Sequence, residues 1–465
     1  MRGKTVMNAF NRRALRIFLP LVWTAVATAQ TTEEDLIRAY GDKSTISIAT
    51  GSLQNITRAP AVATVITASD ISNMGATDLD QALESVPGLH VSKKSLALTP
   101  IYSFRGIFTG ENPQVLMLVN GIPITNTFIG NRSQVWGGMP LENVARIEVI
   151  RGPNSALYGA DAFSGVINVI TKTAAEINGT EYGLRAGSFN SHDAWLQHGG
   201  KLGVLDAAFY LRAGDTDGHK GIIQQDAQST WDAIFGTNVS NAPGPIDAER
   251  KAIDARADLS KERWRLRAGY QQRELGVGAG LAGSLDHDAR VDEARLYLDL
   301  SYEHANWAPN WDTSAIVGYF DIREEPADPA FTLFPPGAFG GVFPISGDGM
   351  IGNPGHSEQH THAGVTAFYT GFENHRVRIG AGHQIEDLYK TEEFKNFTYI
   401  GGVLTPLPTL VDATGNPDLI YIMPHKRNLS YVFAQDEWGI AKDWMLTATL
   451  ISLPEILRLT AWLQP

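Results

Sequence analysis

The chain has 465 residues, a formal net charge of −12, 46 glycines, 9% aromatic residues and no cysteine. The acidic balance argues against a nucleic-acid partner, and the length exceeds one compact domain of ordinary size. Without cysteine this is not a small disulfide-stapled scaffold, so a large core or a membrane must supply the stability.

Arg2, Lys4, Arg12, Arg13 and Arg16 precede the apolar run "IFLPLVWTAVATA", which ends in Ala27-Thr28-Ala29 before Gln30. The run is too short for a stop-transfer helix and carries a small-residue cleavage site, which predicts a secretory signal peptide over residues 1–29; an uncleaved anchor is the alternative. Residues 30–60 read as a periplasmic N-terminal segment, with a short helix over Thr32–Tyr40 whose Thr32 and Asp35 suit a capping box. "KSTISIATGS" follows, alternating Ile46 and Ile48 with Ser47 and Ala49 in an extended pattern.

Residues 61–175 mix strands and short helices. "AVATVIT" predicts a strand; Ser69-Asp70 caps a helix stopped by Gly75, and Thr77 with Asp80 caps a second whose apolar face is Leu79, Ala82, Leu83 and Val86. "IYSFRGI" and "VLMLVNGIPI" read as strands, the second holding the hairpin signal Asn120-Gly121, and Pro140 opens a further short helix. The stretch Arg146–Lys172, "RIEVIRGPNSALYGADAFSGVINVITK", is glycine-rich but is no phosphate loop, because no Gly-Lys-Ser/Thr follows Gly152, and no G-x-G-x-x-G opens a helix. Gly152, Gly159 and Gly165 instead permit tight turns and close backbone approach between two strands. The pattern predicts a small α+β domain.

From residue 176 the pattern becomes that of long alternating strands. "RWRLRAGYQQ" sets Trp264, Leu266, Ala268 and Tyr270 against Arg263, Arg265 and Arg267, while "EARLYLDLSYE" sets Ala294, Leu296, Leu298, Leu300 and Tyr302 against Glu293, Arg295, Asp299 and Glu303. "RVRIGAGHQ" does the same with Val377, Ile379 and Ala381. Two readings share this period: a membrane β-barrel with lipid outside and water inside, and a soluble sheet with the faces reversed. Export and aromatic strand ends favour the barrel. No nucleophile, base and oxyanion grouping or metal cluster stands out, so neither an enzymatic activity nor a cofactor is expected.

At these residues the chain resembles the TonB-dependent outer-membrane receptors. The glycine-rich stretch matches that family's R-I-E-V-x-R-G-P-x-S-x-x-Y-G-x-x-A-x-x-G-V-I-N-I-I-T signature; "SFRGI" (103–107), Leu116–Ile124 and "ALESVPGLHV" (82–91) match its other plug segments. "YVFAQDEW" (431–438) is similar to one of its barrel strands. The resemblance implies an α+β plug domain followed by an antiparallel transmembrane β-barrel, here over residues 176–450, in the outer membrane of a Gram-negative cell. Arg105, Gly106, Asn120, Gly121, Arg151, Gly152, Pro153, Tyr158, Gly159 and Gly165 are then plug-building residues.

The resemblance also implies active uptake of a ferric siderophore or similar metal chelate, driven by TonB with ExbB and ExbD. Thr45, Ile46, Ser47, Ile48, Ala49 and Thr50 stand where relatives carry the TonB box, an extended segment that adds a strand to TonB's sheet edge; a flexible linker is the other reading. The outward plug loops are expected at Ser92–Thr99 and Thr125–Trp136. Phe128, Asn131, Arg132 and Trp136 in the second suit an anionic, partly aromatic chelate or, equally, packing on the barrel wall. Glu325–Gly355 reads as an extracellular loop. Arg105, Arg151, Glu84 and Glu148 read as structural charge pairs, and His356, His360 and His362 as lumen-facing residues ahead of metal or haem ligands. A haem or cobalamin receptor and a passive porin are the alternative functions. Relatives close about 22 strands, more than residues 178–465 supply, and Pro454 with the altered pattern after Ala448 predicts an aberrant tail over 451–465. The expectation is a C-terminally truncated receptor, whose alternative role is that of a non-functional fragment, because an open edge in lipid leaves backbone groups unpaired.

Overall fold

The computed structural model describes residues 45–47, 54–56, 59, 61–130, 137–152, 160–326, 331–441, 444–453 and 456–464. The first domain is built on a five-stranded sheet. Its strands are β1 (Val62–Thr67), β4 (Val115–Val119), β5 (Ile122–Pro123), β6 (Val144–Arg151) and β7 (Gly165–Thr171), in the order β1-β6-β7-β4-β5. β4 and β7 run parallel; the other neighbours are antiparallel. β2 (Leu89–Lys93) and β3 (Pro100–Phe104) form a separate antiparallel pair.

Every residue of β4, "VLMLV", is buried, as an unbroken apolar run requires when both faces of a sheet are covered. Met117, Val119, Ile147, Val149, Ile167 and Val169 share one core with Ile71, Leu79, Leu83, Tyr102 and Phe104. On the opposite face Leu116, Leu118, Ile150 and Val166 pack with Ile46 and Ala59.

Three local expectations shift. Helix α1 (Ala68–Met74) is capped by Thr67, which accepts from the Asp70 N–H at 3.1 Å while its own N–H donates to Asp70 at 3.0 Å; the box closes two residues before the sequence cue at Ser69-Asp70. Helix α2 (Leu79–Leu83) takes Asp78 as its cap, and Thr77 binds the Gln81 side chain instead. No helix starts at Pro140. The Leu79 N–H donates to Met139 O at 3.0 Å and Pro140 bridges Asp78, holding this segment extended up to β6.

Glycine matters most at two places. Asn120 and Gly121 both have positive φ, 52° and 82°, the type I′ geometry that matches strand twist. Asn120 Oδ1 accepts from the Thr171 N–H and the Gly121 N–H donates to Asn168 Oδ1, both at 3.0 Å, which stitches this turn to β7. At Gly165 a Cβ would lie 2.8 Å from Ile150 O and from the Phe104 ring.

The second unit is a 12-stranded sheet in which each strand pairs with the next in sequence. Its members are β8 (Gly179–Gly187), β9 (Ser191–Leu202), β10 (Leu205–Thr216), β11 (Arg250–Lys261), β12 (Trp264–Gly276), β13 (Arg290–Ala308), β14 (Trp311–Pro326), β15 (Gly355–Tyr369), β16 (His375–Glu392), β17 (His425–Ala441), β18 (Trp444–Leu453) and β19 (Ile456–Gln464). Helix α3 (Ala174–Ile177), closed by a Thr173 and Glu176 capping box, joins the two units. The break that the sequence pattern places after Ala448 does not occur. β18 runs on to Leu453, and β19 pairs with it from Leu453↔Ile456 to Met445↔Gln464. Pro454 lies outside the described residues.

The direction of the alternation decides between the two β readings. Leu296, Leu298 and Leu300 are 42–45% exposed, whereas Arg295 and Asp299 between them are at most 2% exposed. The apolar face points away from the protein and the charges point in, the arrangement of a membrane barrel. One end of the sheet has short connections, three of which lead into Trp264, Trp311 and Trp444; Trp264 packs on Tyr302 and Trp311 on Tyr369 at 4.8 Å. Such aromatic belts mark the membrane boundary. The other end carries the long loops 217–249, 277–289, 327–354 and 393–424. Among the described residues no helix is long and apolar enough to cross a membrane.

Leu298→Arg places a charge on the outer face at mid-strand. It is expected to destabilise the membrane-inserted protein by about 2–4 kcal/mol, read as a lowered urea midpoint for loss of the heat-modifiable form, while Leu298→Val stays close to the parent.

Candidate functional site

The first domain lies against the polar face of the sheet as a plug, and its polar contacts fall in three sets, one inside the plug and two between plug and sheet. The first holds the N-terminal segment. Thr45 and Ile46 pair antiparallel with Asn55 and Gln54 and are buried, Ile46 completely. The N–H and Oγ of Ser47 donate to Glu148 Oε2 at 3.1 and 2.8 Å, while Arg146 Nε donates to the other oxygen at 2.9 Å. Ile48, Ala49 and Thr50 lie outside the described residues.

The middle contact is at Glu142 and Asn143, just before β6. The Glu142 carboxylate meets the Arg185 guanidinium and accepts from Tyr210 Oη at 3.0 Å; the Glu142 carbonyl accepts from Gln197 at 3.2 Å. Asn143 Nδ2 donates to Gln197 Oε1 at 3.1 Å. Arg185 starts a belt of alternating charge along the inner wall: Arg185 beside Asp193, Asp193 with Arg212, Arg212 with Asp254, and Asp254 with Arg273 at 2.8 Å. Arg273 then faces Glu293 across the β12 and β13 register. Five neighbouring strands, β8 to β12, and the plug thus share one ionic network, in which each carboxylate between two arginines is neutralised from both sides.

The upper contacts lie at the long-loop end. Ser95 O accepts from the Ala279 N–H at 2.9 Å, and Leu96 joins an apolar cluster with Leu275, Val277, Phe331, Leu333 and Phe343. In the same plug hairpin Tyr102 Oη donates to Asp80 at 2.8 Å and Lys93 pairs with it; burial pushes the Asp80 carboxyl above its usual range against the nearby ammonium. Glu358 of β15 is completely buried and accepts from the Thr127 N–H at 2.7 Å and from Thr127 Oγ1 at 2.6 Å. His360 Nε2 is 2.8 Å and His356 Nε2 3.3 Å from the same carboxylate. Phe128 stacks on His356 with ring centroids 4.3 Å apart and meets Tyr421 of loop 393–424 edge-on at 6.1 Å.

The long loops are tied to one another. Asp226, which caps helix α4 (Ala227–Phe235), accepts from the Leu285 N–H at 2.9 Å. Asp286 accepts from the Thr332 N–H at 2.9 Å, and Asn396 bonds to Gly349 O and the Ile351 N–H at 2.7 and 2.8 Å. Burial raises the Asp226 carboxyl, but hydrogen bonds from Ser240, the Leu285 N–H and Ser229 outweigh it and leave the group below its ordinary value.

Of the ligand candidates, Phe128 is at the plug–barrel contact; Asn131, Arg132 and Trp136 lie outside the described residues, as do Pro153, Tyr158 and Gly159. Arg105 and Gly106 form an exposed positive-φ turn, and Gly152 is also at positive φ, 122°. The charge pairs are not those the sequence suggested: Glu84 meets His90, Glu148 meets Arg146, and Arg151 donates to Pro87 O. His362 sits across from Gly318, apart from the Glu358 cluster. Among the described residues no group of three or more His, Asp or Glu is arranged to hold a metal ion. Sequence reasoning missed Glu142, Gln197, Tyr421 and Glu358; only Glu358 has a readable cue, its place between two histidines at i−2 and i+2 on one strand face.

Residues 55–166 match the family model of the TonB-dependent receptor plug domain. The chain is 30% identical over 178 residues to the pesticin receptor of Yersinia pestis, which covers 38% of this chain and 24% of that protein. It is 37% identical over 174 residues to the iron-regulated outer membrane virulence protein of Vibrio cholerae, covering 36% and 25%. Among solved structures it is similar to the pyoverdine outer membrane receptor of Pseudomonas aeruginosa (TM-score 0.63, 16% identity, 90% of this chain and 60% of that one) and to the ferric yersiniabactin uptake receptor of Yersinia pestis (TM-score 0.57, 15%, 87% and 60%). A plug packed on the lumen face of a membrane β-sheet defines a gated outer-membrane receptor fold. Residues 55–166 belong to the plug-domain family of the TonB-dependent receptors, and the chain's matches span about a quarter of the curated relatives' length.

Glu148→Ala removes the acceptor of both Ser47 bonds. Thiol labelling at Thr45→Cys, in a chain with no other cysteine, is expected to accelerate about tenfold, the scale of losing hydrogen bonds to a charged group. Asp226 predicts a pH effect. A carboxyl held below its ordinary 3.8 contributes its full stabilisation above that value and loses it as pH falls through the depressed one. Hydrogen exchange at the Leu285 and Ser229 amides should therefore accelerate below about pH 3.8 in the parent and already be fast at pH 7 in Asp226→Ala.

Proposed function

We propose that this chain serves in energised uptake of a ferric siderophore or similar metal chelate across the outer membrane, entered from the long-loop end and powered by TonB, with ExbB and ExbD, at residues 45–50. The observation that carries this reading is the plug held across the charged lumen wall, with its apical loops among the long loops and its N-terminal strand at the other face of the sheet. A passive porin has no use for such a plug. An iron-regulated outer membrane virulence protein among the curated relatives supports the iron-chelate reading, and a vitamin B12 transporter among them keeps cobalamin as the alternative. The Thr45–Ile46 pairing supports the box assignment, since a segment already extended adds to a partner's sheet edge by exchanging one strand neighbour for another. Export through a cleaved signal peptide over residues 1–29 belongs to the same reading.

The test is expression with the native N-terminus in a siderophore-receptor-deficient strain, followed by outer-membrane fractionation and uptake of labelled ferric chelates. A heat-modifiable species and TonB-dependent uptake, abolished by Ile48→Pro, are the expected results. Recovery only as degraded periplasmic product would overturn the proposal in favour of a non-functional fragment.

A further inference from the structure

The contact made by Glu358 is unusual in its direction: a barrel carboxylate captures main-chain N–H and hydroxyl groups of the plug. It is fully buried on β15, just inside the long-loop end, and reaches Thr127 twice at 2.7 and 2.6 Å. His360 and His356 flank it from i+2 and i−2 on the same strand face, so the carboxylate is fixed before the plug docks. The next plug residue, Phe128, is clasped between the His356 ring and Tyr421, and Tyr421 belongs to loop 393–424. The Tyr421 N–H in turn donates to Glu393 at 2.6 Å, across the base of that loop. Plug loop, barrel strand and surface loop therefore meet at two consecutive plug residues.

We propose that Glu358 is a positioning residue: it latches the plug loop 125–130 to the barrel, and the Phe128 clasp makes that latch responsive to the position of loop 393–424. The latch rests on the receptor reading, in which that surface loop meets the ligand. Displacing Tyr421 loosens Phe128, and with that aromatic contact gone the bonds from Thr127 and the Phe128 N–H to Glu358 carry the attachment between this plug loop and β15. Charge-assisted bonds suit this role: those from the N–H groups fix the loop's main chain, and the Thr127 hydroxyl adds a side-chain requirement.

The test uses the full chain in detergent or lipid with Ile129→Cys as a unique thiol and measures its labelling rate. Glu358→Gln and Thr127→Val should each speed labelling about tenfold or more, their combination should add little, and Thr127→Ser should restore the parent rate. Tyr421→Ala should speed it about two- to tenfold, the scale of one aromatic contact. Thr99→Cys, in the other plug loop, should label at the parent rate in every background. Parent rates at Ile129→Cys in both Glu358→Gln and Thr127→Val would overturn the latch, as would equal acceleration at Thr99→Cys, which would mean that the whole plug had loosened. An unchanged rate in Tyr421→Ala would overturn the link to loop 393–424. None of these measurements needs ligand or TonB, so failure of uptake and failure of the latch are separate results.

Discussion

In lipid a strand has only one place to put a charge. Backbone N–H and C=O groups must all find partners along the ladder, and the outward side chains must be apolar, so every ionisable residue of the membrane-spanning strands is driven to the inner face. Arg212, Asp254, Arg273, Arg295 and Asp299 are accordingly almost completely buried, and burial of that kind is tolerable only when each charge meets another. The alternating belt from Arg185 to Glu293 follows from this constraint. Any plug placed against such a wall has to offer polar groups in register with it.

The plug meets that demand at loops and leaves its sheet to pack internally. The polar residues on its strands, such as Glu148 and Asn168, bond within the plug, and Glu142, Asn143, Ser95 and Thr127 reach the wall from turns and loops. This division has a mechanical consequence. The sheet behaves as one packed body, while each attachment is a few hydrogen bonds, separable without exposing the Val149, Ile167 and Met117 core. Removing a single member of the belt is a different matter, because it strands a buried opposite charge at a cost of about 3–5 kcal/mol.

The fold was legible wherever one local rule governed. Asn120-Gly121 announced its type I′ turn, the alternation around Leu298 announced a two-faced strand, and the signature over 146–172 announced the plug. What alternation could not give was the sign of the faces, since period two is the same for lipid outside and for core inside. The displaced cap at Asp78 and the missing helix at Pro140 share another cause. Both segments sit beside each other in space, and the Leu79 to Met139 hydrogen bond that fixes them is invisible to a reading of either alone. The site residues were harder still: Glu142 and Tyr421 are ordinary loop residues until the chain folds, and their partners are distant in sequence.

The two attachments that matter most to a gated receptor stand at opposite margins of the same plug sheet. Ser47 is held by Glu148 on β6, next to the edge strand β1; Thr127 follows β5, the other edge, and is held by Glu358. Between them lie β7 and β4, joined by a parallel ladder and cross-linked by the Asn120 contacts to Asn168 and Thr171. A shift of the loop after β5 cannot be absorbed inside this sheet, because its side chains are close-packed on both faces and Gly165 leaves no slack against Ile150 and Phe104. It must move the sheet as a body or break a ladder. Moving the sheet as a body carries the disturbance to β6, where Glu148 holds Ser47.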